Sequence, residues 1–168
     1  MTLHSRIAAL IFCLLLLCSC AAEPAADDGA HVYYLSADPA ARGLFSLEAT
    51  SIPRSGDTPA EQAGAILSAM RRPPSENRFS VIPEDVSVLS VRENGSMIRV
   101  ELSSEYSALD NGSRGIAAAA IAMSLLDIPG VQYVAITTAG ENQAPYNVSY
   151  YTRNNLFIND DILILDNR

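Results

Sequence analysis

The first hydrophobic block, "IAALIFCLLLL" at 7 to 17, holds no polar position. From residue 31 onward polar and apolar positions alternate, with periods that change along the chain. "HVYYLSAD" at 31 to 38 is β-branched and aromatic and predicts a strand. "GLFSLEATSIP" at 43 to 53 predicts a second, with Leu44, Ser46, Glu48 and Thr50 on one side and Phe45, Leu47 and Ala49 on the other. Pro53 and Gly56 then break the chain.

"TPAEQAGAILSAMRRPP" switches to the helical period. Thr58 suits the N-cap, Pro59 the first helical position, and Glu61 closes a Thr-x-x-Glu capping box. Ala63, Ile66, Leu67 and Met70 fall on one face. Arg71 and Arg72 suit the negative end of the helix, and Pro73-Pro74 stops it.

"VSVLSVRENGSMIRVELS" at 86 to 103 predicts a hairpin. A two-residue turn at Asn94-Gly95 sets Glu93 opposite Ser96, Val91 opposite Ile98 and Leu89 opposite Val100. The apolar partners then share one face with Leu102, and the other face carries Ser90, Arg92, Arg99, Glu101 and Met97. In "NGSRGIAAAAIAMSLLDIPGV", Asn111 or Ser113 caps a helix to about Leu126, with Ile116, Ala119, Ala120 and Met123 as its stripe. "VQYVAITT" at 131 to 138 is a further strand, completing a strand–helix–strand crossover. "YNVSYYT" and "ILIL" in the last stretch are candidate strands. The expected class is α+β: a mixed β-sheet with two helices packed on one face.

The apolar block at the front is about half the roughly twenty residues that a membrane span needs, and fits a signal peptide. Leu17-Cys18-Ser19-Cys20 has the order of a lipoprotein cleavage site, and of the three cysteines only Cys20 has a small residue before it. Residues 1–19 are therefore expected to be a lipoprotein signal peptide and Cys20 the lipidation site. Two acyl chains anchor a protein stably, which sets the expected location at the outer face of the bacterial cytoplasmic membrane. Residues 20–30 read as a flexible tether, 31–140 as the domain, and 141–168 as a C-terminal extension expected to form strands packed on the same domain. Cleavage removes Cys13 and Cys18, so the mature chain offers no intramolecular disulfide or cysteine nucleophile.

Charge narrows the partners. The full chain carries −8, and every cation is an arginine. An acidic domain disfavours nucleic acid and polybasic membrane contact, leaving the membrane to be reached through the lipid anchor. The absence of lysine removes Schiff-base chemistry.

Candidate chemistry is sparse. His31 is the one histidine past the signal and would have to serve any Ser-His-Asp triad; a surface role is the simpler reading. Asp160, Asp161 and Asp166 lack the spacing of a calcium loop. Glu101 and Glu105 are a carboxylate pair of the kind used in glycoside hydrolysis, but a cross-strand ion pair with Arg92 and Arg99 explains Glu101 without catalysis. No catalytic, cofactor or metal residues are assigned, and no enzyme is expected. Tyr146, Tyr150 and Tyr151, with Arg71 and Arg72, form the candidate partner surface, the rings for interfaces or glycan and the arginines for an anionic partner.

The order of elements, and the phrases "IPEDVSVLSV", "VELSSEY" and "SLLDIPGVQYVAI", resemble the GerMN domain over about residues 31 to 140. The resemblance implies an exported, often lipid-anchored envelope protein without known catalytic residues, and a fold similar to ring-building-motif domains. The family's namesake carries two such domains in tandem, whereas this chain has room for one. Where the family's first helix usually ends in a Gly-Pro loop, this chain has "RRPPSEN". The expected function is a non-enzymatic interaction module that assembles a sporulation-, germination- or envelope-related complex, through envelope proteins or self-association. The alternative is a domain that binds cell-wall glycan or teichoic acid.

Overall fold

The computed structural model describes residues 29–37, 45–139 and 149–156. The elements run β1 (Gly29–Ala37), β2 (Phe45–Pro53), α1 (Pro59–Met70), β3 (Arg78–Phe79), β4 (Val88–Asn94), β5 (Met97–Leu102), α2 (Glu105–Ala108), α3 (Asn111–Leu126), β6 (Tyr133–Thr138) and β7 (Ser149–Tyr151). The class is α+β, as the patterning predicts.

Two sheets form. In the first, β1 is central and pairs antiparallel with both β2 and β3. The second is the mixed sheet, in the order β4-β5-β6-β7, with β5 and β6 parallel and both outer pairs antiparallel. The short β3 and the separation of β1 and β2 from the mixed sheet were not evident from the patterning. Strand β1 starts at Gly29, so the last two residues read as tether are strand, and Ala30 is buried.

Both long helices lie against both sheets. Helix α1 contacts β1, β4 and β5, while α3 contacts β1, β6 and α1. One core fills the space between them. Its largest side chains include Tyr34 from β1, Ile66, Leu67 and Met70 from α1, Ile98 and Leu102 from β5, and Ile121, Leu125 and Leu126 from α3. Fully burying one such side chain stabilises by about 1.5–3 kcal/mol. The Tyr34 hydroxyl satisfies itself within this core by donating to the Ala69 carbonyl at 3.0 Å.

Helix α1 begins as predicted. The Thr58 hydroxyl accepts from the Glu61 N–H at 3.2 Å, and Glu61 accepts back from the Thr58 N–H at 3.1 Å. Gly56, just before, has φ +110°, and a Cβ there would meet Glu61 Cβ at 2.6 Å, so only glycine fits.

Helix α3 departs from expectation in two ways. Its cap is Asp110, whose Oδ1 accepts from the N–H groups of Gly112 at 2.9 Å and Ser113 at 3.0 Å. Its buried set is also wider than one stripe. Ile116, Ala117, Ala118, Ala120, Ile121 and Ala122 are buried, while Ala119 and Met123 are only partly so. A helix packed between β1, β6 and α1 is covered on more than one side.

The hairpin also differs. Asn94 pairs with Met97, Glu93 with Ile98, Arg92 with Arg99 and Val91 with Val100. The turn is therefore Gly95-Ser96, with Gly95 at φ +59° in the first central position. A bulge between Val88 and Ser90 expels Leu89, which is half exposed, and brings Val88 opposite Leu102.

The "YNVSYYT" stretch does supply a strand, β7, which extends the mixed sheet beside β6. "ILIL", Cys20, Tyr146 and the Asp160, Asp161, Asp166 group lie outside the described residues.

Candidate functional site: the outer face of the mixed sheet

Alternation along β5 and β6 splits the mixed sheet into two faces. Ile98, Val100 and Leu102, paired with Val134, Ile136 and Thr138, point to the helices and are buried. The opposite face is built of rows set by register. One row runs Arg92, Arg99, Ala135, Tyr150 across all four strands. The row on one side is Ser90, Glu101, Thr137, and on the other Asn94, Met97, Tyr133.

Ser90, Arg92, Arg99 and Glu101 line an open recess of about 380 Å³ over β4 and β5. Arg92 and Arg99 are exposed and directly opposite each other. Like charges in that position destabilise a sheet unless something neutralises them. The expected ion pairs from Glu101 do not form. Its Oε2 accepts instead from the Ser90 hydroxyl at 3.0 Å, and among the described residues no carboxylate pairs with either guanidinium. Other arginines are occupied. Arg54 lies 3.9 Å from Asp127, Arg78 pairs with Glu48 at 3.2 Å, Arg71 donates to the Glu84 carbonyl, Arg114 to Asn111 and Arg153 to the Leu126 carbonyl. Beyond the recess, Tyr133 and Tyr150 present rings to solvent, 45% and 56% exposed.

The predicted partner surface does not come together as one patch. Tyr150 is on this outer face. Tyr151 alternates to the other side, opposite Val134, and packs against the core. Arg71 and Arg72 follow the end of α1, on the helix-covered side of the sheet. The arginines that share a face with Tyr150 are Arg92 and Arg99, which the sequence reading treated as partners of Glu101. Their cross-strand alignment depends on the hairpin register, so no local signal marks them as a pair.

A second polar constellation joins β1 to the end of α3. His31 Nδ1 lies 2.8 Å from Asp127 Oδ2, and the His31 N–H donates to the same oxygen at 3.3 Å. Ser124 accepts from the Tyr33 N–H and is fully buried, while Ser51, opposite His31 on β2, is exposed. Glu105 sits in the first turn of α2. Hydrogen bonds, that from the Ser103 side chain foremost, hold its carboxyl below the ordinary value, opposite to what a glycosidase acid requires. Among the described residues no three His, Cys, Asp or Glu side chains cluster as metal ligands. Nor is any helix among them long and apolar enough to cross a membrane.

A family profile for Germane, described as "Sporulation and spore germination", matches residues 31–144. The chain belongs to the Germane family. Solved structures show similar chains at low identity. The tandem GerMN domains of the sporulation protein GerM from Bacillus subtilis share 16% identity over 68% of this chain, with a TM-score of 0.49. This chain spans only 39% of that structure's length. The first GerMN domain of the same protein, taken alone, shares 14% over 67% of this chain and 83% of its own, at 0.49. A candidate lipoprotein from Clostridium perfringens shares 12% over 74% of this chain and 86% of its own, at 0.46. No curated protein matches.

Proposed function

We propose that this Germane-family chain is a non-enzymatic, lipid-anchored module of the bacterial envelope. It is held by Cys20 at the outer face of the cytoplasmic membrane and engages a partner in a sporulation- or germination-related assembly. The observation that carries the reading is the outer face of the mixed sheet. It sets two arginines without acceptors among the described residues beside two exposed tyrosines, on a domain whose other described arginines, Arg72 aside, donate to protein oxygens or pair with carboxylates. Such a face is costly on an isolated domain and is relieved by a bound partner. The family description supports the setting, and the Leu17-Cys18-Ser19-Cys20 order supports the anchor.

The anchor is tested by labelling cells with an alkyne fatty acid. The wild-type chain is expected to carry label and to sediment with membranes, and Cys20→Ala to lose both. Label persisting on Cys20→Ala overturns the anchor. The module is tested by in-cell cross-linking of the anchored chain. Ladders of itself or defined adducts with envelope proteins are expected; monomer alone overturns the assembly role.

A further inference from the structure

We infer that the recess over β4 and β5 binds a sugar carrying a carboxylate, such as the acidic sugar of a wall glycan. This rests on the reading of the outer face as the partner surface and names the ligand for it.

The polar groups set the ligand's chemistry. Arg92 and Arg99 face each other across the strands and donate to no described residue. Two guanidinium forks side by side suit a planar carboxylate, which takes paired N–H donors. The neighbouring row holds Ser90 and Glu101. Residues two apart on a strand are about 7 Å apart. That is the span from a carboxylate on one side of a sugar ring to hydroxyls on the other. The Ser90 proton is already given to Glu101, so what this row still offers is acceptor lone pairs. Sugar hydroxyls or an acetamido N–H supply the matching donors.

The same carboxylate argues against the competing anions. Two guanidiniums and Glu101 leave the recess with one net positive charge. A phosphate carrying two charges brings a second negative charge up to Glu101, whereas a monoanion rich in hydroxyls does not. The chain's overall −8 disfavours a long polyanion, but beyond about 8–10 Å remote charges are screened at physiological salt. A single carboxylate therefore meets the local field and not the global one. An apolar peptide side chain finds no apolar partner among the four residues that line the recess.

The experiment uses the full chain in neutral detergent and reads ligand protons by saturation-transfer NMR. The probes are N-acetylmuramic acid, N-acetylglucosamine, which is the same ring without the lactyl carboxylate, and inorganic phosphate. Saturation of N-acetylmuramic acid and little of N-acetylglucosamine is expected. Arg92→Gln/Arg99→Gln is expected to weaken binding at least about tenfold, the loss of charge-assisted hydrogen bonds, while Ser68→Ala on α1 leaves it unchanged. Both arginines are exposed and without described protein partners, so far-ultraviolet dichroism should show the double variant folded. No signal from N-acetylmuramic acid, equal signal from N-acetylglucosamine, or displacement by phosphate at lower concentration than by the sugar each overturns the inference. If the sugar fails while envelope proteins still cross-link in cells, the ligand is wrong and the module stands. If the sugar binds and no envelope protein or self-ladder is captured, the assembly reading fails and the ligand stands.

Discussion

Removing the Asp127 carboxylate should loosen three segments at once. Asp127 is the C-cap of α3, where a negative charge meets the negative end of the helix dipole at a cost of about 0.3–1 kcal/mol. It is retained there with compensating contacts: His31 Nδ1 at 2.8 Å, the His31 N–H at 3.3 Å and Arg54 Nη2 at 3.9 Å. A charge-assisted hydrogen bond contributes about 1.5–3 kcal/mol when shielded. The His31 and Asp127 side chains are 38% and 31% exposed, so solvent screening reduces this to about 1 kcal/mol. The Arg54 contact, at the limit of an ion pair, adds about 0.2–0.5 kcal/mol. After the dipole cost is regained, Asp127→Ala should destabilise by about 0.2–1.2 kcal/mol, or roughly 1–5 °C in Tm.

The pH dependence gives the sharper test. Burial raises the Asp127 carboxyl, but the side-chain and backbone hydrogen bonds from His31 and the charges of His31 and Arg54 outweigh it, and the net shift is downward. A carboxyl lowered on folding stabilises fully above its unfolded value, about 3.9. That contribution is lost as pH falls through the lower folded value. Urea unfolding of both proteins from pH 7 to pH 3 should therefore show a gap at pH 7 that narrows at the acid end. Equal midpoints at pH 7, or a gap that stays constant through the acid range, would refute the reasoning.

Other outcomes follow from the fold. Thr58→Ala removes one side of the capping box and should cost about 1 kcal/mol by urea unfolding. Gly56→Ala should cost more than Gly95→Ala. Both glycines have positive φ, but only at Gly56 does an added Cβ clash, whereas nothing lies within 4 Å at Gly95; about 1 kcal/mol is expected for Gly95→Ala. Ile98→Ala leaves a cavity in a fully buried position and should cost about 2–5 kcal/mol. Tyr106 should ionise above the ordinary tyrosine value in an ultraviolet titration. Burial first, then the neighbouring Tyr151, raises its phenol well above the ordinary value, against a smaller lowering by Arg114.

Features encoded within one turn of chain were readable in the sequence. The Thr58–Glu61 box needs only four residues, and its helix face followed from spacing. The hairpin register did not, for a definite reason. Moving the turn from Asn94-Gly95 to Gly95-Ser96 changes each partner by two residues, so Val91 meets Val100 in place of Ile98. A shift of two leaves every side chain on its original face, and hydrophobic alternation accepts both registers. The alanine-rich α3 hid its orientation for a related reason, since alanine fits a face packed on one side or several. The pairing of Arg92 with Arg99 depends on the register, and the row they share with Tyr150 also needs β7 beside β6, a contact between distant parts of the chain. The fold therefore separates Tyr150 from Tyr151, Arg71 and Arg72.

The most direct test of the outer face as a partner surface is site-specific photo-cross-linking in living cells. A photoreactive phenylalanine replaces Tyr150 in one strain and Ser68, exposed on α1, in another. We expect discrete light-dependent adducts with envelope components from position 150 and none from 68. Adducts from 68 with none from 150 would contradict the account and move the partner surface to the helical side.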